Sequence, residues 1–161
     1  VSDSAEQRRE MPLGDSDRLE EAWNRAVAEG DTGFALEAAR AAQERFQQEG
    51  VDGLLGLLDP EFELHMEALF LDGRVYRGAE GLRQWRRELE EVFEYDRFDV
   101  RAVRLHEDTL VQIGRLYTRG KNSGVEADSP FAYVVRTRRD MILRLTMYSD
   151  VERAFTDAGI A

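Results

Sequence analysis

Three runs of strand character follow one another near the end of the chain: Thr109 to Arg119, Val125 to Thr137 and Met141 to Tyr148. Each is dense in β-branched, aromatic or alternating apolar residues. The gaps between them, Gly120-Lys-Asn-Ser-Gly124 and Arg138-Arg-Asp140, carry turn chemistry. This pattern predicts consecutive antiparallel hairpins, and a sheet of this kind needs a partner for its apolar face.

Helices upstream supply that partner. Leu82, Trp85, Leu89, Val92 and Phe93 recur at helical spacing and predict a helix over 79–94 with a charged outer face. Leu36, Ala39 and Phe46 mark another over 34–48, whose small alanines let it lie close to a sheet. A short helix is expected over 51–58, stopped by Asp59-Pro60. Phe62, Leu64 and Met66 then alternate with Glu63, His65 and Glu67 in a strand with two distinct faces. A short extended piece at 74–76 precedes the helix over 79–94. After it comes a strand over 97–106 that changes phase between Phe98 and Val100 on one side and Val103 and Leu105 on the other, which predicts a bulge near Ala102. Ser149 or Asp150 caps a last helix that turns Val151, Ala154 and Phe155 inward and ends at Gly159. The order of elements is that of an α+β domain over 34–161. Residues 17–33, with Leu19, Ala22, Trp23, Ala26 and Val27 in helical phase, read as an extra N-terminal helix and linker, and residues 1–16 as a flexible tail.

The length, 161 residues, suits one such domain with an appended element. A net charge of -11 repels polyanions, and Arg83, Arg86 and Arg87 are interleaved with Glu80, Glu88, Glu90 and Glu91 as a solvated helix face, so no nucleic-acid partner is expected. The chain has no cysteine, which removes disulfides, thiolate nucleophiles and cysteine metal sites. The start is polar, and the most apolar short stretch, Val51 to Leu58, is far too short to cross a bilayer. A soluble, cytoplasmic protein without a membrane partner is the expectation.

Four stretches carry a resemblance to a known family: Phe46-Gln-Gln-Glu-Gly-Val-Asp-Gly-Leu-Leu55, Leu58-Asp-Pro-Glu-Phe-Glu-Leu-His65, Tyr76-Arg-Gly-Ala-Glu-Gly-Leu-Arg-Gln-Trp85 and the run from Ile142 through Leu145 and Tyr148 to Asp150. In order and spacing they resemble the SnoaL-like group of the nuclear transport factor 2-like superfamily, over roughly residues 34–159. The turn Arg138-Arg-Asp140 departs from it, since members usually carry a glycine there. The resemblance implies a cone-shaped, strongly curved, mainly antiparallel sheet wrapped around helices, a cystatin-like α+β roll with a pocket at its wide end. It also implies frequent homodimers through the outer sheet face, for which Leu110 and Leu116 are the expected apolar contacts.

Family members include cofactor-free cyclases, isomerases and epoxide hydrolases beside binding modules, and fold alone does not choose among them. Their catalytic sets transfer poorly. The isomerases' proton-shuttling Asp is replaced by His65; their Tyr donor falls near Ala42, and their protonated Asp near Phe131 to Tyr133, where no acid stands. Arg115 is followed two residues on by Tyr117, where the epoxide hydrolases have Asp, and the cyclases' acid position is Met147.

Several residues keep two readings. His65 is a general base near neutral pH or a hydrogen-bonded structural histidine. Asp128 is a buried acid with a raised pKa, or it faces water beside Pro130. Arg115 interrupts Val111, Ile113 and Tyr117, and so either enters a pocket or pairs with a carboxylate such as Glu67 or Asp128. Trp85, Tyr133 and Tyr148 form an aromatic wall for a flat, mainly apolar ligand or plain core. His65 and Glu67 are too few for a metal site, and no phosphate-cradling loop is present, so neither metal nor cofactor is expected. The function expected is small-molecule binding in a partly apolar pocket, with a hydrophobic partner molecule held by Trp85, Arg115, Tyr117, Tyr133 and Tyr148. The alternative is cofactor-free acid–base catalysis (cyclase, isomerase or hydrolase type) on a small hydrophobic or polycyclic substrate, with His65 and Asp128 as its catalytic pair.

Overall fold

The computed structural model describes residues 32–160. The expected tail over 1–16 lies outside the described residues, as do the expected extra helix and linker over 17–33 except for the last two positions. Those two already belong to the first helix, α1 (Thr32–Glu49), so the end of the expected linker is helical. A 3-10 helix, Gly50–Leu57, follows α1. The remaining elements are β1 (Leu58–Glu67), β2 (Val75–Arg77), α2 (Gly78–Val92), β3 (Phe93–His106), β4 (Thr109–Gly120), β5 (Glu126–Arg138), β6 (Met141–Tyr148) and α3 (Val151–Ala158).

The protein is α+β, with one six-stranded sheet in the order β2-β1-β6-β5-β4-β3. β1 and β6 run parallel and every other pairing is antiparallel. The hairpins β4–β5 and β5–β6 are those expected from the sequence. So is the bulge in β3, which lies between Val100 and Ala102.

Alternation along the strands sorts side chains onto two faces. Leu64, Met66, Met147, Phe131, Val135 and Leu110 face one way and merge with Ala35, Ala38 and Ala39 of α1 and Leu82, Trp85 and Leu89 of α2. The alanines do what small residues on a helix face permit: α1 lies close enough for Arg40 Nε to donate to the Val100 carbonyl oxygen at 3.1 Å. On the opposite face Val111, Ala132, Val134 and Tyr148 form a second, smaller cluster with Ala154 and Ala158 of α3. This helix is held by Asp150, whose carboxylate accepts from the backbone N–H groups of Glu152 and Arg153, a cap worth about 1 kcal/mol.

Three boundaries differ from the sequence expectation. β3 opens at Phe93, which periodicity assigned to the helix, because β4 is long enough to pair Phe93 with Gly120. β1 opens at Leu58 and runs through Asp59-Pro60, its pairing with β6 being irregular between Leu58 and Glu63. Asp59 there accepts from Glu61 N–H at 2.8 Å and from Arg138 Nη2 at 2.7 Å, which ties β1 to the end of β5. The third lies at 51–58, where the expected short helix is the 3-10 helix Gly50–Leu57. Leu110 and Leu116, the expected dimer contacts, are 1% and 7% exposed and belong to the core under α1 and α2. They are therefore not available on the outer face.

Arg139 and Asp140 both have φ above +50° in the two-residue turn that joins β5 to β6, a left-handed region that favours glycine and is occupied here by two other residues. Gly114 answers to a different demand. A Cβ there would stand 1.9 Å from the Asp99 carbonyl oxygen, just where β3 bulges against β4. Gly114→Ala is expected to destabilise the fold by about 2 kcal/mol or more, lowering Tm by about 4 to 8 °C, measurable by calorimetry. The Arg138 bond holds the Asp59 carboxyl below its ordinary pKa. A depressed pKa contributes stability above the unfolded-state value and loses it as pH falls through the folded value. Asp59→Asn should therefore be less stable than wild type at pH 7, and the gap in denaturant midpoint should close on acidification below the usual carboxylate range.

Candidate functional site

Between α1, α2 and the inner sheet face lies a cavity of about 70 Å³. Its floor is formed by Phe62, Leu82, Trp85, Gln112, Val135 and Met147, all buried. Its rim, which includes Gln43, Leu54, Leu58, Ile142 and Leu145, is half-buried and mainly apolar, so the cavity opens between α1, the 3-10 helix and the β1–β6 pair. The local reasons are simple. Trp85 lies one turn after Leu82 on α2 and turns to the sheet with it, and Gln112 shares the inward phase of Leu110 on β4, directly opposite Tyr133 of β5.

Trp85 and Gln112, which both line this cavity, each carry a buried polar atom without a partner among the described residues: Trp85 Nε1 and the Gln112 side-chain oxygen. Trp85 is 5% and Gln112 4% exposed. Each such orphan costs about 1 to 3 kcal/mol relative to a satisfied or apolar replacement. Tyr133 adds a phenol, stacked on Phe98 with ring centroids 4.2 Å apart. Burial raises its pKa far above the usual value, the Asp96 carboxylate adding and Arg86 offsetting, so it stays protonated. Beside the cavity, Arg86 grips Asp96 with both terminal guanidinium nitrogens, one at 2.9 Å, and donates from Nε to Glu90 at 3.1 Å. Its guanidinium lies 5.3 Å from the Phe46 ring and 5.7 Å from Trp85, which joins α2 to the start of β3.

The other sequence candidates lie on the outer face. Arg115 Nε donates to Asp128 at 2.8 Å, and both side chains meet solvent. Tyr117 accepts from Arg101 Nη2 at 2.8 Å. Tyr117 and Asp128 border an open cleft of about 320 Å³ with Tyr95 and Arg119, the latter paired to Glu94 and Glu126. His65 stands apart on β1, its Nε2 2.8 Å from Glu63 and its Nδ1 receiving Arg144 at 3.3 Å. Arginine only donates, so Nδ1 is the acceptor and Nε2 carries the proton: a neutral ring with both nitrogens occupied. The bond to His65, with Arg77, holds the Glu63 carboxyl below its ordinary value. Tyr148 sits beneath α3 and donates to Asp157 at 2.9 Å; burial and that bond push its pKa up to about 12. The structure thus brings Trp85 and Tyr133 together, and Arg115, Tyr117 and Asp128 together elsewhere.

No family model and no curated protein matches the sequence. Solved structures do. An NTF2-like protein from Burkholderia thailandensis superposes with a TM-score of 0.63 at 21% identity, covering 81% of this chain and 99% of that one. A protein described as a SnoaL-like polyketide cyclase from Jannaschia sp. CCS1 gives 0.61 at 17%, with 83% and 90% covered. A protein of ketosteroid isomerase-like fold from Catenulispora acidiphila, in complex with trimethylamine, gives 0.59 at 15%, with 74% and 89% covered.

The chain has the nuclear transport factor 2-like fold. Within that NTF2-like fold, Ala42 and Met147, at the positions where the resemblance places a tyrosine donor and a cyclase acid, both line the cavity and are apolar. His65, at the place of the isomerases' aspartate, turns away from it. Among the described residues no group of three His, Asp or Glu could hold a metal ion, and no helix is long and apolar enough to cross a membrane. Gln112 was not singled out from sequence. Its signal is there: a polar side chain in the same phase as Leu110 and Leu116.

Gln112→Leu removes an unpaired buried acceptor at similar volume. It should stabilise the protein by about 1 to 3 kcal/mol, raising Tm by about 2 to 12 °C in a thermal melt without ligand.

Proposed function

We propose that this NTF2-like protein binds a small, mainly apolar molecule in the inner cavity, with a polar end of that molecule seated against Trp85, Gln112 and Tyr133. The observation that carries the reading is the pair of unpaired polar atoms in an otherwise apolar floor. Natural cores rarely keep such groups unless something else completes them, and a few convergent polar groups in an apolar recess are the usual make-up of a ligand site. As it stands the cavity is far below the roughly 300 Å³ of a pocket for a drug-sized molecule, so a small ligand, or one end of a longer one, suits it better than a fused ring system.

Binding suits the site better than acid–base chemistry. Of the residues that line it only Tyr133 can ionise, and its proton is held firmly, while His65 and Asp128 are engaged on the far side of the sheet. The outer cleft beside Tyr117 and Asp128 is a poorer candidate because its charges are already paired, Asp128 with Arg115 and Glu126 with Arg119.

The experiment uses Trp23→Phe so that Trp85 alone reports, and a panel of small para-substituted toluenes: toluene itself, p-cresol, 4-methylbenzamide, 4-methylbenzoate and 4-methylbenzylamine. At least one uncharged member should change Trp85 fluorescence and shift its indole N–H resonance saturably. Arg115→Ala should leave that binding within about twofold, as expected for an exposed ion pair remote from the site. If no member of the panel perturbs Trp85, the cavity is not a ligand site.

A further inference from the structure

We infer that the ligand of the inner cavity carries an uncharged head with a hydrogen-bond donor and an acceptor side by side, a carboxamide or lactam, on an apolar body that leaves through the rim. The inference rests on the binding reading above and names the chemical class that the floor selects. Trp85 Nε1–H can only donate, so it requires an acceptor. The Gln112 amide offers one C=O and one NH₂ whichever way it is turned, and its oxygen requires a donor. The two are not bonded to each other, since both lack a partner. A head that presents C=O to the indole and N–H to the amide oxygen would complete both at once.

Charge is excluded by what surrounds them. A carboxylate in this floor would leave water without gaining a cation, because Arg86, the guanidinium that stacks on Trp85, is already held by Asp96 and Glu90. An ammonium would find no free anion for the same reason: Asp96 is taken by Arg86. The direction of the ligand follows from exposure. The polar floor is the most buried part of the cavity, while Leu54, Leu58, Ile142 and Leu145 at the mouth are half-buried and apolar, so the head enters first and the body is left along them. A volume of about 70 Å³ admits a few water-sized groups, which suits a head of this kind.

Calorimetric titration of the same panel into the full chain tests the class. 4-Methylbenzamide should bind about tenfold tighter than toluene, the order expected for a completed hydrogen-bond pair, and about a hundredfold or more tighter than 4-methylbenzoate or 4-methylbenzylamine, which lose solvation without a counter-ion. Gln112→Leu should erase the preference for the amide over toluene while toluene still binds. Gln112→Met, a second variant of similar volume, should do the same and guards against a local repacking effect of leucine. Equal or tighter binding of 4-methylbenzoate would overturn the inference while leaving the cavity a ligand site. So would an amide preference that survives both variants, or wild-type binding of toluene as tight as of the amide, since water alone would then be completing Trp85 and Gln112. Failure of the whole panel would instead remove the binding reading itself.

Discussion

A strand that is apolar on both of its faces has to be covered on both, and β4 is where this constraint governs the molecule. Leu110 and Leu116 belong to the core under α1 and α2, whereas Val111 packs with Ala154 and Ala158 of α3. Two helical layers are therefore required, one on each side of the central strands, and neither is optional: uncovering either would expose a contiguous apolar patch. The bulge in β3 and the bare Cα of Gly114 belong to the same requirement. They allow the outer strand to follow β4 closely as the phase of its side chains changes.

The double covering separates two chemistries. On the outer face, arginines and carboxylates satisfy one another in short pairs, from His65 with Glu63 and Arg144 to Arg115 with Asp128 and Arg136 with Asp157. Groups so occupied contribute local order and modest stability, and they have little spare capacity for a reactant. None of the residues that line the inner cavity is charged, and two buried polar atoms among them are left over. In a core that is otherwise well packed, residual hydrogen-bonding capacity is the more informative feature, because its cost must be offset by something that the bare chain does not supply.

The Arg86–Asp96 pair stands at the meeting point of these two regimes. It joins α2 to the start of β3, lies over the aromatic rings that wall the cavity, and is held by three hydrogen bonds when Glu90 is included. A cation held this way packs against aromatic faces and braces the cavity wall without lending its charge to the interior. Ala42 and Met147 line the cavity beside these rings, and with the other apolar residues of the lining they leave it without a charged group.

Local pattern determined a good deal by itself. Helical spacing placed α1 and α2, turn chemistry placed the β4–β5 and β5–β6 hairpins, and the phase change from Val100 to Val103 marked the bulge. All of these depend on neighbours a few residues apart. What the sequence could not decide was which face of β4 looks inward. Leu110, Val111, Gln112 and Ile113 give no alternation of polarity, and the phase that contains Val111, Ile113, Arg115 and Tyr117 reads as the pocket side as easily as the other. Because a strand has period two, that single ambiguity moves every side chain to the opposite face. It put Arg115 and Tyr117 in the expected site and left Gln112 unnoticed. Only the docking of α3 on Val111 and of α1 and α2 on Leu110 resolves it, since burial on both faces is a property of long-range packing and not of the strand's own residues.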